Sequence, residues 1–243
     1  MRIVRFIDEQ GECHYGEYRD NTTARRLEGS PFAGFRPTDE SCSIARLLAP
    51  IEPVNIFCIG KNYSEHAREM GSDAPELPIV FMKPTSSLNH PNASIPVPAA
   101  CTHGPEVDYE AELAVVIGKN ARNVAHDQAL EFVYGYTCAN DVSARWWQKE
   151  GSGGQWIRGK GFDGFCPMGP VLVTADEIDN PQNLSVRLRL NGELLQDGNT
   201  RDMMFPVAFL IAELSRDLTL LPGTVILTGT PSGVGFARDP QVF

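Results

Sequence analysis

Apolar residues along this chain come in short runs, some alternating and some continuous, and Gly, Pro or a polar cluster cuts each run within a few positions. Such punctuation predicts strands more often than helices. Arg2 to Ile7 reads as a strand, Gly11 as a turn, and the residues around Tyr15 as a second strand. A polar stretch bearing Gly and Pro then runs to Pro53, so residues 1–53 are expected to form a small N-terminal unit ahead of a main domain over 54–243. Ser185 to Leu190 alternates cleanly and is followed by Asn191-Gly192 and Glu193 to Gln196. Asn-Gly between alternating segments predicts a hairpin closed by a type I′ turn. Phe205, Ala208, Phe209 and Ala212 recur at helical spacing, which predicts a helix over 205–216. Pro222-Gly223 should then turn the chain into a strand from Thr224 to Thr228. The expected fold class is α+β, dominated by strand, with no internal repeat.

Composition narrows the function classes. A chain of 243 residues suits one substantial core with room for a small extra module. Its net charge of -10 argues against a nucleic-acid partner, because phosphate neutralisation needs clustered Lys and Arg. The same charge does not argue against an anionic substrate, since a bound cation can dominate a local field. The six cysteines are scattered with no Cys-x-x-Cys pair, which suits a reducing compartment. The N-terminus becomes charged too soon for a secretion signal, and no apolar run approaches the roughly 20 residues that span a bilayer. A cytoplasmic protein without membrane partners is expected.

The segment from Pro105 to Gly118 carries the densest acidic pattern. As a strand it would set Asp108, Glu110 and Glu112 on one face, with Val107, Tyr109, Ala111 and Leu113 on the other. A carboxylate row on one face repels itself unless a cation, basic side chains or water intervenes. It is therefore either a solvated face or a cation site. Asp141, at the end of an apolar run, is either a helix N-cap or a third carboxylate of that site. Carboxylates without a nearby His or Cys set suit a hard, oxygen-preferring ion, Mg²⁺ or Mn²⁺. Farther upstream, Ser64 as N-cap and Gly71 past the C-terminus would frame a short helix, with His66 and Glu69 three apart. That pair is either a casual contact on an exposed helix or an oriented imidazole able to act as a base.

The segments GKNYSEHAREMG, VFMKPTSSL, VDYEAELAVVIGK, GYTCANDVSARWWQ, GKGFDGFCPMGP, LNGELLQDGNT and LTGTPSGVG occur in the order seen in the fumarylacetoacetate hydrolase family, which the chain therefore resembles over most of residues 55–236. The likeness is greatest to the short branch with a single catalytic domain, which contains acylpyruvate hydrolases and oxaloacetate-acting relatives. The resemblance implies a mixed β-roll or sandwich catalytic domain and a homodimer. It implies that Glu110, Glu112 and Asp141 hold the cation, and that His66 and Glu69 form a catalytic dyad on a lid over the substrate. It further implies that Lys160 contacts the substrate's oxygens, that Arg145 and Gln148 are polar positions following the acidic ligand, and that Thr230 receives the substrate carboxylate.

The expected activity is metal-dependent hydrolysis of a C–C bond in a small acylpyruvate. A tautomerase, isomerase or decarboxylase of oxaloacetate or a related 2-oxo diacid is the alternative, and a catalytically idle binding module the remote one. The Gly-rich segment Gly229 to Gly235 lacks the Gly-Lys-Ser/Thr of a phosphate-binding loop. Three departures from the family pattern stand out. The chain stops at Phe243 where relatives add another strand or two, Gly161 replaces a common Ser or Thr, and Trp146-Trp147 replaces a more polar pair. Trp146, Trp147 and Trp156 are expected to give the site an apolar wall.

Overall fold

A computed structural model describes all 243 residues. Its strands are β1 (Arg2–Ile7), β2 (Cys13–Tyr18), β3 (Thr23–Ser30), β4 (Gly34–Ser43), β5 (Arg46–Leu48), β6 (Asn55–Gly60), β7 (Ile79–Lys83), β8 (Leu88–Asn89), β9 (Val107–Asp108), β10 (Ala111–Ile117), β11 (Val133–Asn140), β12 (Ser143–Ala144), β13 (Cys166–Pro167), β14 (Leu172–Thr174), β15 (Ser185–Leu190), β16 (Glu193–Asn199) and β17 (Thr224–Leu227). Four short α-helices join them: α1 (Ser64–Glu69), α2 (Arg145–Lys149), α3 (Ile157–Lys160) and α4 (Val207–Leu214). The fold is thus α+β and strand-dominated. Eleven strands share one sheet, in the order β4-β3-β2-β1-β14-β11-β10-β17-β6-β7, with β5 also on β1.

The centre of this sheet is apolar on both faces, which is why its strands read as near-continuous hydrophobic runs. In β10, Leu113, Val115 and Ile117 enter one core with Ile59 of β6, Ile226 of β17 and the α4 residues Val207, Leu210 and Ile211. The alternate residues Ala114 and Val116 enter a second core with Ile56, Cys58, Val225 and Leu227. Period two thus partitions each strand between two cores.

The hairpin falls where its sequence put it. Asn191 and Gly192 have φ of 52° and 87°, the paired left-handed conformation that a type I′ turn requires. The helix predicted over 205–216 forms as Val207–Leu214. The polar stretch before Pro53 builds β3, β4 and β5, and β1 pairs with β14 so that the first strands continue the main sheet. These strands are half exposed, so polar residues occupy positions that a buried strand would fill with Val or Ile. One expectation is corrected: Ser64 is not the N-cap of α1, since the extended residue before the helix is Tyr63 and no side chain caps it. Gly71 does lie just past the end, at φ +71°, with its N–H on the Arg68 carbonyl.

Candidate active site

The sheet register draws the acidic residues together. Antiparallel pairing sets Ala111 opposite Asn140 and Glu112 opposite Ala139, so the next step outward brings Glu110 to Asp141, whose N–H donates to the Glu110 carbonyl at 2.8 Å. Strand β17 lies on the other side of β10, with Ala114 opposite Leu227. Two residues farther on, the Gly229 N–H reaches the Glu112 carboxylate at 2.6 Å. Gly229 has φ +97°, and a Cβ there would meet the Asn62 Cβ at 2.7 Å, so only glycine lets the backbone come this close. Strand β6 runs parallel to β17 and delivers Lys61, Asn62 and α1 to the same end of the sheet. Asn62 fixes this junction: its side chain donates to the carbonyls of Phe205 and Thr228 and accepts from the Phe205 N–H.

Glu110, Glu112 and Asp141 are buried, and each offers an oxygen within 4.8 Å of the others. The solvated-face reading of this strand is therefore overturned, and Asp141 caps no helix, since Ala144 occupies that position for α2. Asp108 is buried too but turns aside. It binds the Arg145 guanidinium, with Nη2 at 2.6 Å, and accepts the N–H groups of Gly235 and Phe236. Arg145 also reaches Glu110 at 2.7 Å and Gln148 at 2.9 Å. The Lys160 ammonium donates to Glu110 at 2.8 Å, Asp141 at 2.6 Å and Ser143 at 2.7 Å, which uses all three of its protons.

Two buried polar side chains that carried no assigned role in the sequence complete this layer. Lys83 donates to Asp141 at 2.5 Å and to the Val142 carbonyl at 3.1 Å. Gln196 accepts from the Ala111 N–H and donates to Thr230 and to the Pro231 carbonyl. Neither showed a local signal: Lys83 ends an ordinary strand and Gln196 sits in the exposed-looking hairpin arm. Only tertiary packing buries them.

The charges do not balance. Asp108, Glu110, Glu112 and Asp141 face three cations, Lys83, Arg145 and Lys160. Burial alone would raise the Glu110 carboxyl, but Lys160 and Arg145 outweigh it and hold its pKa below the usual range. Glu112 goes the other way: burial first, then the Asp141 and Glu110 carboxylates, push its pKa well up. Glu112 is thus the one of the three acids that no basic side chain pairs, its partner being the Gly229 amide. An all-oxygen donor set around such an acid fits a hard divalent cation such as Mg²⁺ or Mn²⁺.

A cleft of about 210 Å³ opens over these carboxylates. His66, Arg145, Gln148, Lys160 and Thr230 all line it, together with the three acids. The His66 Nδ1 is 2.7 Å from Glu69, whose other oxygen accepts the Gly233 N–H at 2.9 Å. With Nδ1–H on the carboxylate, Nε2 keeps its lone pair. The Thr230 hydroxyl donates to the Ala111 carbonyl. Of the three tryptophans only Trp156 lines the cleft. Trp146 is instead stacked on His103 at 3.6 Å, and the Trp147 indole N–H is spent on the Ala100 carbonyl. At position 161 a Cβ would lie 2.7 Å from both the Ile157 carbonyl oxygen and the Pro84 ring, so glycine there follows from close packing of α3 on β7's exit.

Comparison with known proteins agrees with this architecture. Residues 55–243 match the family model described as fumarylacetoacetate (FAA) hydrolase C-terminal, and residues 1–50 match one described as Rv2993c-like, N-terminal. The chain belongs to the fumarylacetoacetate hydrolase family. It is 51% identical over 198 residues to a mitochondrial oxaloacetate tautomerase of Xenopus laevis, covering 81% of this chain and 61% of that one. It is 50% identical over 197 residues to a 2,4-didehydro-3-deoxy-L-rhamnonate hydrolase of a Sphingomonas strain, covering 81% of this chain and 68% of the relative. The chain thus spans about three-fifths of the tautomerase's length. Among solved structures, a 5-carboxymethyl-2-hydroxymuconate delta-isomerase of Mycobacterium smegmatis superposes with a TM-score of 0.84 at 38% identity, over 97% of this chain and 90% of that one. No helix of the chain is long and apolar enough to cross a membrane.

Proposed function

We propose that this chain is a divalent-cation-dependent enzyme acting on a small 2-oxo acid through its enol form, and that its reaction is keto–enol tautomerisation of a 2-oxo diacid such as oxaloacetate. The observation that carries the reading is the His66–Glu69 dyad on one wall of a cleft whose floor is Glu110, Glu112 and Asp141. A Mg²⁺ or Mn²⁺ ion held by those three carboxylates would supply Lewis-acid stabilisation of the charge that enolisation creates. The Nε2 of His66 takes the proton of the enol hydroxyl and, as imidazolium, delivers it to the carbon beside the keto group, so nothing is consumed. Glu69 holds the ring through Nδ1–H and stabilises the cation that His66 becomes. Lys160 acts as a fixed positive charge beside the carboxylates, since its three N–H bonds are already engaged. The Thr230 backbone N–H and the Gln148 side-chain amide N–H orient the substrate's polar end. Six unpaired cysteines suit a reducing, cytoplasmic setting, and we expect a homodimer, testable by light scattering.

The tautomerase named among the relatives favours this reaction over C–C hydrolysis. Hydrolysis is the second reading, favoured by the rhamnonate hydrolase of similar identity. There His66 would instead take a proton from water, the oxygen would add to the distal carbonyl, and the adjacent C–C bond would break to leave an enol and a new carboxylate. One experiment separates them: enol-oxaloacetate and acetylpyruvate are each mixed with the Mn²⁺-loaded protein in ¹⁸O-water, then with excess EDTA. Loss of the enol absorbance without change of the carbon skeleton supports tautomerisation. Heavy oxygen in acetate from acetylpyruvate would replace it with hydrolysis.

A further inference from the structure

Four cationic side chains line the cleft, and two of them, Arg145 and Lys160, are spent on carboxylates. The other two are not. Lys61 and Lys149 take part in no ion pair and no side-chain hydrogen bond, and their ammonium groups rest only against aromatic rings. Lys61 Nζ is 6.0 Å from the centroid of Trp156, and Lys149 Nζ is 3.6 Å from that of Phe236. They are near enough to repel: burial, then Arg145, and beyond Glu150's opposing pull Lys61, lower the Lys149 pKa. Two like charges that line one cleft, without a carboxylate paired to either, give its approach a positive field that favours an anion.

The backbone at Lys61 adds an independent observation. Lys61 has φ +55°, a conformation that glycine or asparagine adopts at lower cost than lysine. Both neighbours enforce it. Gly60 is pinned beneath the Trp156 ring, where a Cβ would lie 2.3 Å from the indole, and Asn62 is clamped by its three backbone hydrogen bonds. A strained residue that its surroundings over-determine, and that faces a cleft, points to a function for its side chain.

We propose that Lys61 and Lys149 together form a carboxylate-binding subsite at the mouth of the cleft, which takes the distal carboxylate of a dianionic 2-oxo acid and so selects diacids over monoacids. The inference rests on the 2-oxo-acid reading above and specifies the substrate class of the same site. The carboxylates on the cleft floor would hold the cation, and with it the 2-oxo end of the ligand. The two lysines meet whatever charge the other end carries.

The test is calorimetric titration of the Mn²⁺-loaded protein with 2-oxobutyrate and with 2-oxoglutarate, of which only the second has a distal carboxylate. The proteins are the wild type, Lys61→Gly, which keeps the left-handed backbone, Lys149→Gln, and the double variant. Melting temperature and Mn²⁺ affinity are measured on each, so that a folding defect is not mistaken for lost recognition. The wild type should prefer the diacid, each single variant should weaken diacid binding roughly tenfold while shifting monoacid binding less than about twofold, and Lys61→Arg should restore most of the loss. Equal diacid binding by the wild type and the double variant overturns the subsite and leaves the 2-oxo-acid reading intact. Failure of the wild type to bind either acid overturns that reading, and the subsite with it.

Discussion

The N-terminal strands and the floor of the cleft are built from the same ion pairs in two different media. On β3 and β4, Arg26 meets Glu40 at 2.9 Å and Arg36 meets Glu28, with side chains between 38% and 80% exposed. On the cleft floor Lys160 meets Asp141 at 2.6 Å with both side chains at 2% exposure or less. Water screens the first set, so each pair contributes at most about 1 kcal/mol. It is largely kept from the second, where removing either partner leaves buried charge short of its counter-charge. The contrast teaches that the molecule's net acidity says little about its site: what matters is where acids outnumber bases out of reach of solvent.

The largest effect should come from breaking the buried set. Lys160→Met leaves Glu110 and Asp141 short of a counter-ion and should lower stability by about 3–5 kcal/mol, read from urea unfolding. Retention of wild-type stability would mean that water reaches the floor. Next, His66→Ala should reduce turnover by about 10²- to 10⁴-fold while leaving Mn²⁺ affinity near wild type; full turnover would remove the dyad from the mechanism.

Glu112→Gln should act with opposite signs in the two states of the site. The Glu112 carboxyl titrates above its usual range, so its contribution to stability is present at low pH and lost as pH rises through that raised value. Gln imitates the protonated form. At neutral pH without metal it should therefore stabilise the protein, by about 1 kcal/mol, and it should also flatten the fall in stability with rising pH. In the same variant Mn²⁺ should no longer raise the melting temperature. A variant less stable than wild type without metal would show that Glu112 is already neutralised by something else. The smallest effect is reserved for the surface: Arg26→Ala should change stability by less than about 1 kcal/mol, and salt should reduce even that.

Legibility in the sequence followed the range of the interaction. The type I′ hairpin and helix α4 are set by residues a few positions apart, and both stood out. The carboxylates at 110 and 112 declared a shared face through period two, but nothing local said whether that face was wet. Pairing with β11 and β17, residues distant in the chain, decided it. Lys83, Gln196 and the diversion of Asp108 to Arg145 were invisible for the same reason, because each acquires its partner only when strands far apart in sequence align. Trp146 and Trp147 misled because an aromatic pair beside an acidic motif can face either way, and here they pack against His103 and Phe162.

Helix α1 spans only six residues and has no side-chain cap at its start. A segment that short has almost no helical stability of its own in water, so its order is borrowed from the contacts it makes. One of those is the Glu69 oxygen on the Gly233 amide, the same glutamate that holds His66. The acid–base pair therefore sits in one of the first parts of the molecule that should melt. On warming, turnover should fail by local fraying, at temperatures where the two cores beneath are still intact, and heat inactivation should be reversible over that interval.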